Sequence, residues 1–290
     1  MDFVTAVQVT IDGLLLGGVY AVVAVGLSLV FGVMRVVNLA HGDLMVLGGL
    51  AVAGLFTVTG INPLVILVFV LPATFAVGML LHGGLVERVI RGPELAPAVL
   101  LYGVSVILSN SMLAVAGPEY RNIRYFNGSL LLGPFAFSKP RVIAFLACVV
   151  LSAVTILLLQ RTRFGRFLRA TAQAPALADA IGIDGRRVRQ YAMGLAAGLA
   201  AAGGTLLMLS YPISPNSGPT FLLRAFAVVV IGGLGSVGGA FVGALVLALT
   251  QSFATYFVGA QSAEITIYLL FILVLLLRPR GLFGEKEVNV

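Results

Sequence analysis

The chain has 290 residues, of which 60% are hydrophobic and only 10% are charged. A soluble domain carries about a quarter charged residues, so this composition excludes an ordinary water-soluble protein and favours lipid as the solvent. The net charge of +7 does not indicate nucleic-acid binding, because most of the basic residues lie in short gaps between apolar runs. The single cysteine, Cys148, lies inside an apolar run and offers neither a disulfide framework nor a metal site.

Apolar runs of membrane-spanning length recur along the chain, and a spanning helix needs about 20 mainly apolar residues. No basic residue precedes Arg35, so the first run is interpreted as a retained membrane helix and not as a cleaved signal. The run 44–58 is short and is expected to span with its flanks, whereas 223–231 is too short to span alone. We predict an all-α polytopic membrane protein with about eight transmembrane helices in one domain, residues 1–290. The predicted spans are 13–34, 44–58, 63–85, 96–116, 142–159, 191–210, 237–257 and 263–277.

The charged gaps predict which side of the membrane each connection faces. The loop 161–189 holds seven arginines and two aspartates, so it is predicted to be cytoplasmic. The gap 87–91 and the tail 278–290 are predicted on the same side for the same reason. The loop 117–140 then falls outside by parity, although its own basic residues break the rule, and the N-terminus is placed outside with it.

Two stretches interrupt the helical pattern at membrane depth. The first, FGVMRVVNLAHGDLMVLGG at 31–49, places an arginine, an asparagine, a histidine and an aspartate between apolar flanks. The second, VVVIGGLGSVGGAFVGAL at 228–245, has five glycines within eight residues, which should interrupt a helix. Non-helical backbone is tolerated at that depth only where protein or water satisfies its amides, so we predict one or two broken or re-entrant segments. Paired interruptions in two parts of a chain point to a transport pathway.

The polar cluster of the first stretch admits two interpretations. A charge at the bilayer centre costs about 2.5–3.5 kcal/mol, so two charges need compensation there. We interpret Arg35 as an interfacial anchor whose side chain snorkels to the surface, the alternative being a pair with Asp43 that lines a gate. Asn38, His41, Gly42 and Asp43 are candidates for a helix break that lines the pathway, or for a short polar turn at the inner surface.

The second stretch also has two interpretations. Gly232, Gly233, Gly235 and Gly239 either open the pathway or let helices pack closely through small residues, and both can hold together. The glycines do not form a phosphate-binding loop, because that motif requires a lysine directly after them and the chain has none there.

The basic loop contains a compact unit between its arginines. Pro175 suits the first turn of a short helix that ends at Gly182. An interfacial helix bound to anionic lipid is one interpretation, but a proline–helix–glycine unit favours docking of a cytoplasmic partner. The candidate docking residues are Ala174, Pro175, Ala178, Asp179, Gly182 and Ile183.

No catalytic constellation is visible in the sequence. His41 and His82 lack metal-ligand spacing to cysteine or to a carboxylate pair, so we predict that the chain is not an enzyme and binds no cofactor of its own. An ion-coupled secondary transporter would need an ionisable group inside a helix, for which Asp43 is the only moderate candidate. A membrane scaffold would explain the glycines but not the polar cluster.

Three blocks of the sequence resemble, in this order, the permeases of branched-chain amino acid ABC importers, specifically the shorter of their two related permeases. The blocks are GLLLGGVYAVVAVGLSLVFGVMRVVNLAHGDLMVLGG, TRFGRFLRATAQAPALADAIGID and LRAFAVVVIGGLGSVGGAFVGAL. The matching residues are Asn38, Ala40, His41 and Gly42 of an N-F-A-H-G-like block with Leu39 in the place of Phe, Ala178, Gly182 and Ile183 of the coupling loop, and Gly232, Gly233, Gly235 and Gly239 of a glycine block.

The resemblance implies the ABC importer permease fold and a subunit of a bacterial inner-membrane importer. It implies as partners a second related permease or a second copy, two cytoplasmic ATPases that hold the ATP, a periplasmic binding protein and membrane lipid, and no nucleic acid. The implied substrates are branched-chain amino acids or a related small amino acid or amide. A urea or short-amide importer is the alternative, and an ion-coupled secondary transporter is a more distant one.

Overall fold

The computed structural model describes residues 2–90, 92–278 and 281–283. Twelve α-helices are found in these ranges, with a π-helical turn at His82–Val86. The helices are α1 (Phe3–Met34), α2 (His41–Thr59), α3 (Pro63–Leu81), α4 (Glu87–Val89), α5 (Ala96–Ala116), α6 (Lys139–Arg161), α7 (Arg163–Gln173), α8 (Pro175–Ala180), α9 (Gly185–Met208), α10 (Gly218–Gly232), α11 (Val237–Val258) and α12 (Ala260–Leu277).

Eight helical segments of the described chain are long and apolar enough to cross a membrane, which confirms the prediction of about eight. The π-helical turn joins α3 and α4 into one of these segments. Helix α10 is not among the eight: its 15 residues span about 22 Å at 1.5 Å per residue, against a hydrocarbon core of about 30 Å. The expectation that 223–231 does not span alone agrees with this length.

Helices α1 and α9 form the centre of the bundle. Most of both helices is buried, whereas α5 and α12 lie at its periphery and expose most of their surface. Glycines in α2 and α3 let these helices approach α9 closely: a Cβ at Gly48 would lie 2.3 Å from the Cβ of Ala201, and one at Gly78 would lie 2.6 Å from the carbonyl oxygen of Met193. Helix association in lipid depends on such close packing, because burial of apolar surface adds little there.

One end of the bundle carries a short antiparallel hairpin that the sequence analysis treated only as an external loop. Strand β1 (Ser129–Leu132) pairs with β2 (Phe135–Ser138). The first helix reaches this hairpin, since the side chain of Gln8 donates to the carbonyl of Ala136 at 2.9 Å. The N-terminal end of α1 and the loop 117–140 therefore lie at the same end of the molecule, as parity requires.

The basic loop lies at the opposite end of the bundle, together with the C-terminal ends of α1 and α6 and the N-terminal end of α9. Val33, Leu159 and Val188 pack together there in a small apolar cluster. Arg189, just inside α9, donates to Glu87 at 2.8 Å and so brings the 87–91 gap to this end. Arg91, Arg280 and residues 284–290, which were used to orient the chain, lie outside the described residues.

Candidate functional site

The first predicted break is the non-helical segment between α1 and α2. Helix α1 ends at Met34, and Arg35 follows in the left-handed region with φ 53° and an exposed side chain. Asn38 is fully buried; its side-chain oxygen accepts from the amide of Ala40 at 3.1 Å. The asparagine thus satisfies the local backbone of a turn that is buried inside the bundle, as such a turn in a membrane requires.

Helix α2 begins deep inside the bundle. Its first residue, His41, is fully buried, and its Nε2 lies 2.9 Å from the carbonyl oxygen of Val23. Val23 lies eleven residues before the end of α1 at Met34, a distance of about 16 Å along the helix. The chain therefore returns into the membrane before α2 starts, so the break is a re-entrant segment and not a turn at the surface.

The start of α2 meets the start of α10. A Cβ at Gly42 would lie 2.0 Å from the carbonyl oxygen of Gly218, and a Cβ at Gly218 would lie 2.1 Å from Oδ1 of Asp43. The two backbones can approach this closely only because both positions are glycine. We call the contact of Gly42 and Asp43 with Gly218 the α2–α10 junction. Sequence analysis did not identify Gly218, because its importance comes from a neighbour 175 positions away in the chain.

The carboxylate of Asp43 is 1% exposed and lies at this junction. Its Oδ2 accepts from the hydroxyl of Ser105 on α5 at 2.5 Å, and its Oδ1 has no hydrogen-bond partner among the described residues. It does not pair with Arg35, whose side chain is exposed and forms no salt bridge within the described chain. The alternative of an Arg35–Asp43 pair is therefore wrong.

The electrostatic compensation for Asp43 comes from helix ends. Asp43 is in the first turn of α2, and Gly218 is the first residue of α10. Each helix N-terminus carries a partial charge of about +0.5, so two of them oppose the negative charge without an arginine. This explains how a carboxylate can be buried without a salt bridge among the described residues, and it leaves one carboxylate oxygen without a donor.

The second predicted break is a glycine turn between α10 and α11, and it lies away from the α2–α10 junction. A Cβ at Gly232 would lie 2.2 Å from the carbonyl oxygen of Gly239, so the glycines let α10 and α11 pack against each other. The amide of Leu282 donates to the carbonyl of Ile231 at 2.8 Å and so satisfies a carbonyl in the last turn of α10. Gly235 contacts Gly32 near the end of α1, so the structure brings Gly42 and Asp43 together with Gly218 and not with the glycine turn.

A polar network inside the bundle was missed by the sequence analysis. Arg224 lies on α10 with its side chain 16% exposed, forms an ion pair with Glu264 on α12 and donates to the hydroxyl of Tyr20 at 3.4 Å. That hydroxyl donates to Gln251 on α11 at 2.8 Å. The network ties α10 to three neighbouring helices. The signal was present, since an arginine in an apolar run needs a partner, but the run 223–231 was considered only for its length.

The predicted docking unit is a short helix at the end of the bundle that carries the basic loop. Pro175 begins α8, and Ala178 is buried beneath it. Gly182 has φ +83°, a conformation that a β-carbon disfavours, and its amide closes the turn on the carbonyl of Asp179 at 3.1 Å. Two apolar side chains point outward, with Leu177 64% and Ile181 69% exposed. Exposed apolar residues on a short basic-flanked helix are typical of a surface that another protein covers.

Comparison with known proteins adds a family match that spans these sites. A family model described as the permease component of branched-chain amino acid transport systems matches residues 9–277. The chain is 30% identical to the high-affinity branched-chain amino acid transport permease protein LivH of Escherichia coli K12, over 99% of this chain and 98% of that protein. It is 28% identical to the corresponding protein BraD of Pseudomonas aeruginosa, over 97% of both chains.

Two further similarities concern a second permease and the fold. The permease protein LivM of Escherichia coli K12 is 27% identical over 94% of this chain and 69% of its own length. The solved structure of PsaBC from Streptococcus pneumoniae in complex with Fab aligns with a TM-score of 0.52 and 14% identity, over 93% of this chain and 91% of that one. At this identity the structural similarity establishes the fold alone.

Proposed function

Since the chain belongs to the family of permease components of branched-chain amino acid transport systems, we propose that it is the membrane-spanning subunit of an ATP-driven importer of the inner membrane. Its substrates are branched-chain amino acids or a closely related small amino acid. The observation that carries the proposal is the α2–α10 junction, where two helix ends and a buried carboxylate meet within the membrane. Substrate sites of transporters lie at such discontinuous helices.

The pathway follows the re-entrant segment to this junction. Asn38, His41, Gly42 and Asp43 are fully or almost fully buried here, so the junction is closed in this conformation. Opening requires α10 to move away from α2. The glycines at 232, 233, 235 and 239 serve this movement indirectly, because they hold the far end of α10 against α11.

Energy enters from the end of the molecule that carries α8. We place ATP on two cytoplasmic ATPase subunits that dock on Leu177, Ile181 and the neighbouring residues 174–183. Helix α8 is connected to the bundle core through α9, which contacts α1, α2 and α3. A push on α8 therefore reaches both helices that flank the re-entrant segment.

The remaining partners follow from the family and from the opposite end of the bundle. The similarity to LivM supports pairing with a second, related permease, and a pair of identical copies is the alternative. A periplasmic binding protein would deliver substrate at the end that carries the hairpin 129–138. A urea or short-amide importer is the second candidate for substrate.

The substrate assignment is tested by uptake into proteoliposomes that contain the whole importer, with its binding protein added outside and ATP inside. We expect accumulation of radiolabelled leucine, isoleucine or valine and none of urea. Accumulation of urea without any of the three amino acids would replace the first candidate by the second. The matched control is the same importer with a non-hydrolysable ATP analogue.

A further inference from the structure

We propose that Asp43 and Ser105 form the recognition site for the ammonium group of the transported amino acid. The inference rests on the proposed function and goes further, because it names the part of the substrate that is read inside the membrane. It assigns to the α2–α10 junction a preference for solutes that carry a positive ammonium group over neutral amides.

The carboxylate of Asp43 lacks the cation that a buried charge requires. Its side chain is 1% exposed, and no salt bridge to it exists among residues 2–90, 92–278 and 281–283. The two helix ends oppose its charge but leave Oδ1 without a hydrogen bond. An unpaired acceptor at a buried charge is costly, and such a group is retained in a membrane when it meets a partner during function.

An ammonium group fits the acceptors that are present. It has three donors and one positive charge, and a charge-assisted hydrogen bond to a carboxylate is among the strongest a protein makes. The hydroxyl of Ser105 donates to Oδ2 at 2.5 Å, which orients the carboxylate and leaves Oδ1 for the ligand.

In the closed junction Oδ1 is covered by the backbone of α10 but accepts no hydrogen bond from the described residues. A Cβ at Gly218 would lie 2.1 Å from Oδ1, so the start of α10 covers the oxygen that the ammonium would use. The ammonium reaches Asp43 only when α10 has withdrawn. Recognition is therefore linked to opening: a solute with an ammonium group stabilises the separated helices, and a neutral amide does so less.

The test measures binding to the assembled importer in nanodiscs, without nucleotide and without the binding protein, so that only the membrane site is read. The probe is radiolabelled leucine. The competitors are leucinol, which keeps the ammonium group and lacks the carboxylate, and 4-methylpentanoate, which keeps the carboxylate and lacks the ammonium. In the wild type, leucinol should displace leucine and 4-methylpentanoate should not.

The variant Asp43→Asn should weaken the binding of leucine and of leucinol by about tenfold or more, which is the loss expected for a hydrogen bond to a charged group. Ser105→Ala should weaken both by a smaller factor, and it tests the site independently if the Asp43 variant fails to assemble. Asp12→Asn and Ser28→Ala are the matched controls: they change the same chemical groups, in a partly exposed ion pair and at a buried serine of α1, and should leave the affinity unchanged.

Several results would overturn the inference. They are displacement by 4-methylpentanoate as strong as by leucinol, an unchanged leucine affinity in Asp43→Asn, and no leucine binding by the wild type at millimolar concentration. None of these concerns the proposed function itself, which fails separately if the wild-type importer does not accumulate leucine with ATP and its binding protein.

Discussion

Two glycines, Gly42 and Gly218, decide how closely α2 and α10 can approach. A methyl group on either would overlap backbone or carboxylate atoms of the other helix, at distances of 2.0 and 2.1 Å. The atom that a Cβ at Gly42 would meet is backbone, and the one that a Cβ at Gly218 would meet belongs to a carboxylate whose other oxygen is hydrogen-bonded to Ser105. The sequence marked Gly42 as part of a break, but the need for glycine there comes from the contact with a distant residue.

Replacing Gly42 by alanine should therefore destabilise the closed junction. Overpacking of a tight contact costs about 1–3 kcal/mol, so we expect a lower midpoint of thermal unfolding together with reduced uptake. Gly54→Ala is the control in the same helix, since a Cβ there meets no atom within 4 Å. Removal of a helix-interior glycine should leave stability unchanged or raise it by about 0.5–1 kcal/mol. Equal unfolding midpoints for the two variants would contradict the packing described.

The Arg224–Glu264 pair makes a different prediction, because its two members are unequally buried. The side chain of Arg224 is 16% exposed and that of Glu264 is 48% exposed. Glu264→Leu leaves a mostly buried guanidinium without its carboxylate, and removal of one partner of a buried pair costs more than removal of both.

The midpoint of thermal unfolding should thus fall more for Glu264→Leu than for Arg224→Met. The double variant should be more stable than Glu264→Leu alone. The two variants and their double variant form a double-mutant cycle that measures the coupling. Strict additivity of the two changes would show that the pair contributes nothing.

At the scale of elements, the helices could be predicted because their signal is local. A run of about 20 apolar residues needs no partner to be recognised, and each predicted span coincides with an observed helix. Most ends agree within a few residues, but α1 begins at Phe3 and α9 at Gly185, which is ten and six residues before the predicted starts at 13 and 191. The hairpin at 129–138 was not predicted, although short apolar runs flank Gly133 and Pro134. Two four-residue strands give too weak a pattern against a loop of mixed composition.

The two helix breaks look alike in sequence but differ in position. The side chain of His41 at the start of α2 reaches Val23, which lies about 16 Å along α1 from its end at Met34, whereas the glycine turn before α11 lies beside Gly32, near that end. Hydropathy and glycine content do not encode depth, because depth depends on how far the chain returns into the bundle after α1. The spatial counterpart of the first break is the start of α10, which follows a Pro- and Ser-rich connector and has neither a charged residue nor a glycine run.

The proposed docking at α8 depends on the backbone conformation at Gly182. Valine there would have to adopt φ +83°, which is strained for a β-branched residue, whereas asparagine tolerates it. We expect Gly182→Val to abolish leucine uptake while the chain remains inserted and its junction intact, and Gly182→Asn to retain most uptake. The measurement is uptake together with ATP hydrolysis by the assembled importer. Wild-type uptake in Gly182→Val would remove α8 from the coupling route.

At the scale of the whole molecule, the orientation in the membrane is the prediction that most needs a direct measurement. Basic loop 161–189 and the hairpin lie at opposite ends of the bundle, so labelling one site on each end decides it. Cys148 is the only cysteine and is buried, so Cys148→Ala gives a cysteine-less background. In intact spheroplasts, a membrane-impermeant maleimide should label Asn127→Cys and not Asp184→Cys. The reverse pattern would invert the assignment of sides.

Features of the molecule that lie within one segment could be predicted, whereas contacts between distant segments could not. The family resemblance, the number of spans and the docking unit follow from patterns contained within single segments. The junction of Gly42, Asp43 and Gly218 and the network around Arg224 arise from packing between segments, which a single sequence does not encode. The chemically informative contacts belong to this second group.

The central claim is that ATP hydrolysis, and not an ion gradient, drives solute through this chain. The most direct measurement is accumulation of radiolabelled leucine by proteoliposomes that contain the whole importer and its binding protein, with the proton gradient and the internal ATP controlled separately. The account predicts uptake that requires hydrolysable ATP and is unchanged by a protonophore at constant ATP. Uptake that persists without ATP and collapses with the protonophore would contradict it and would identify a secondary transporter.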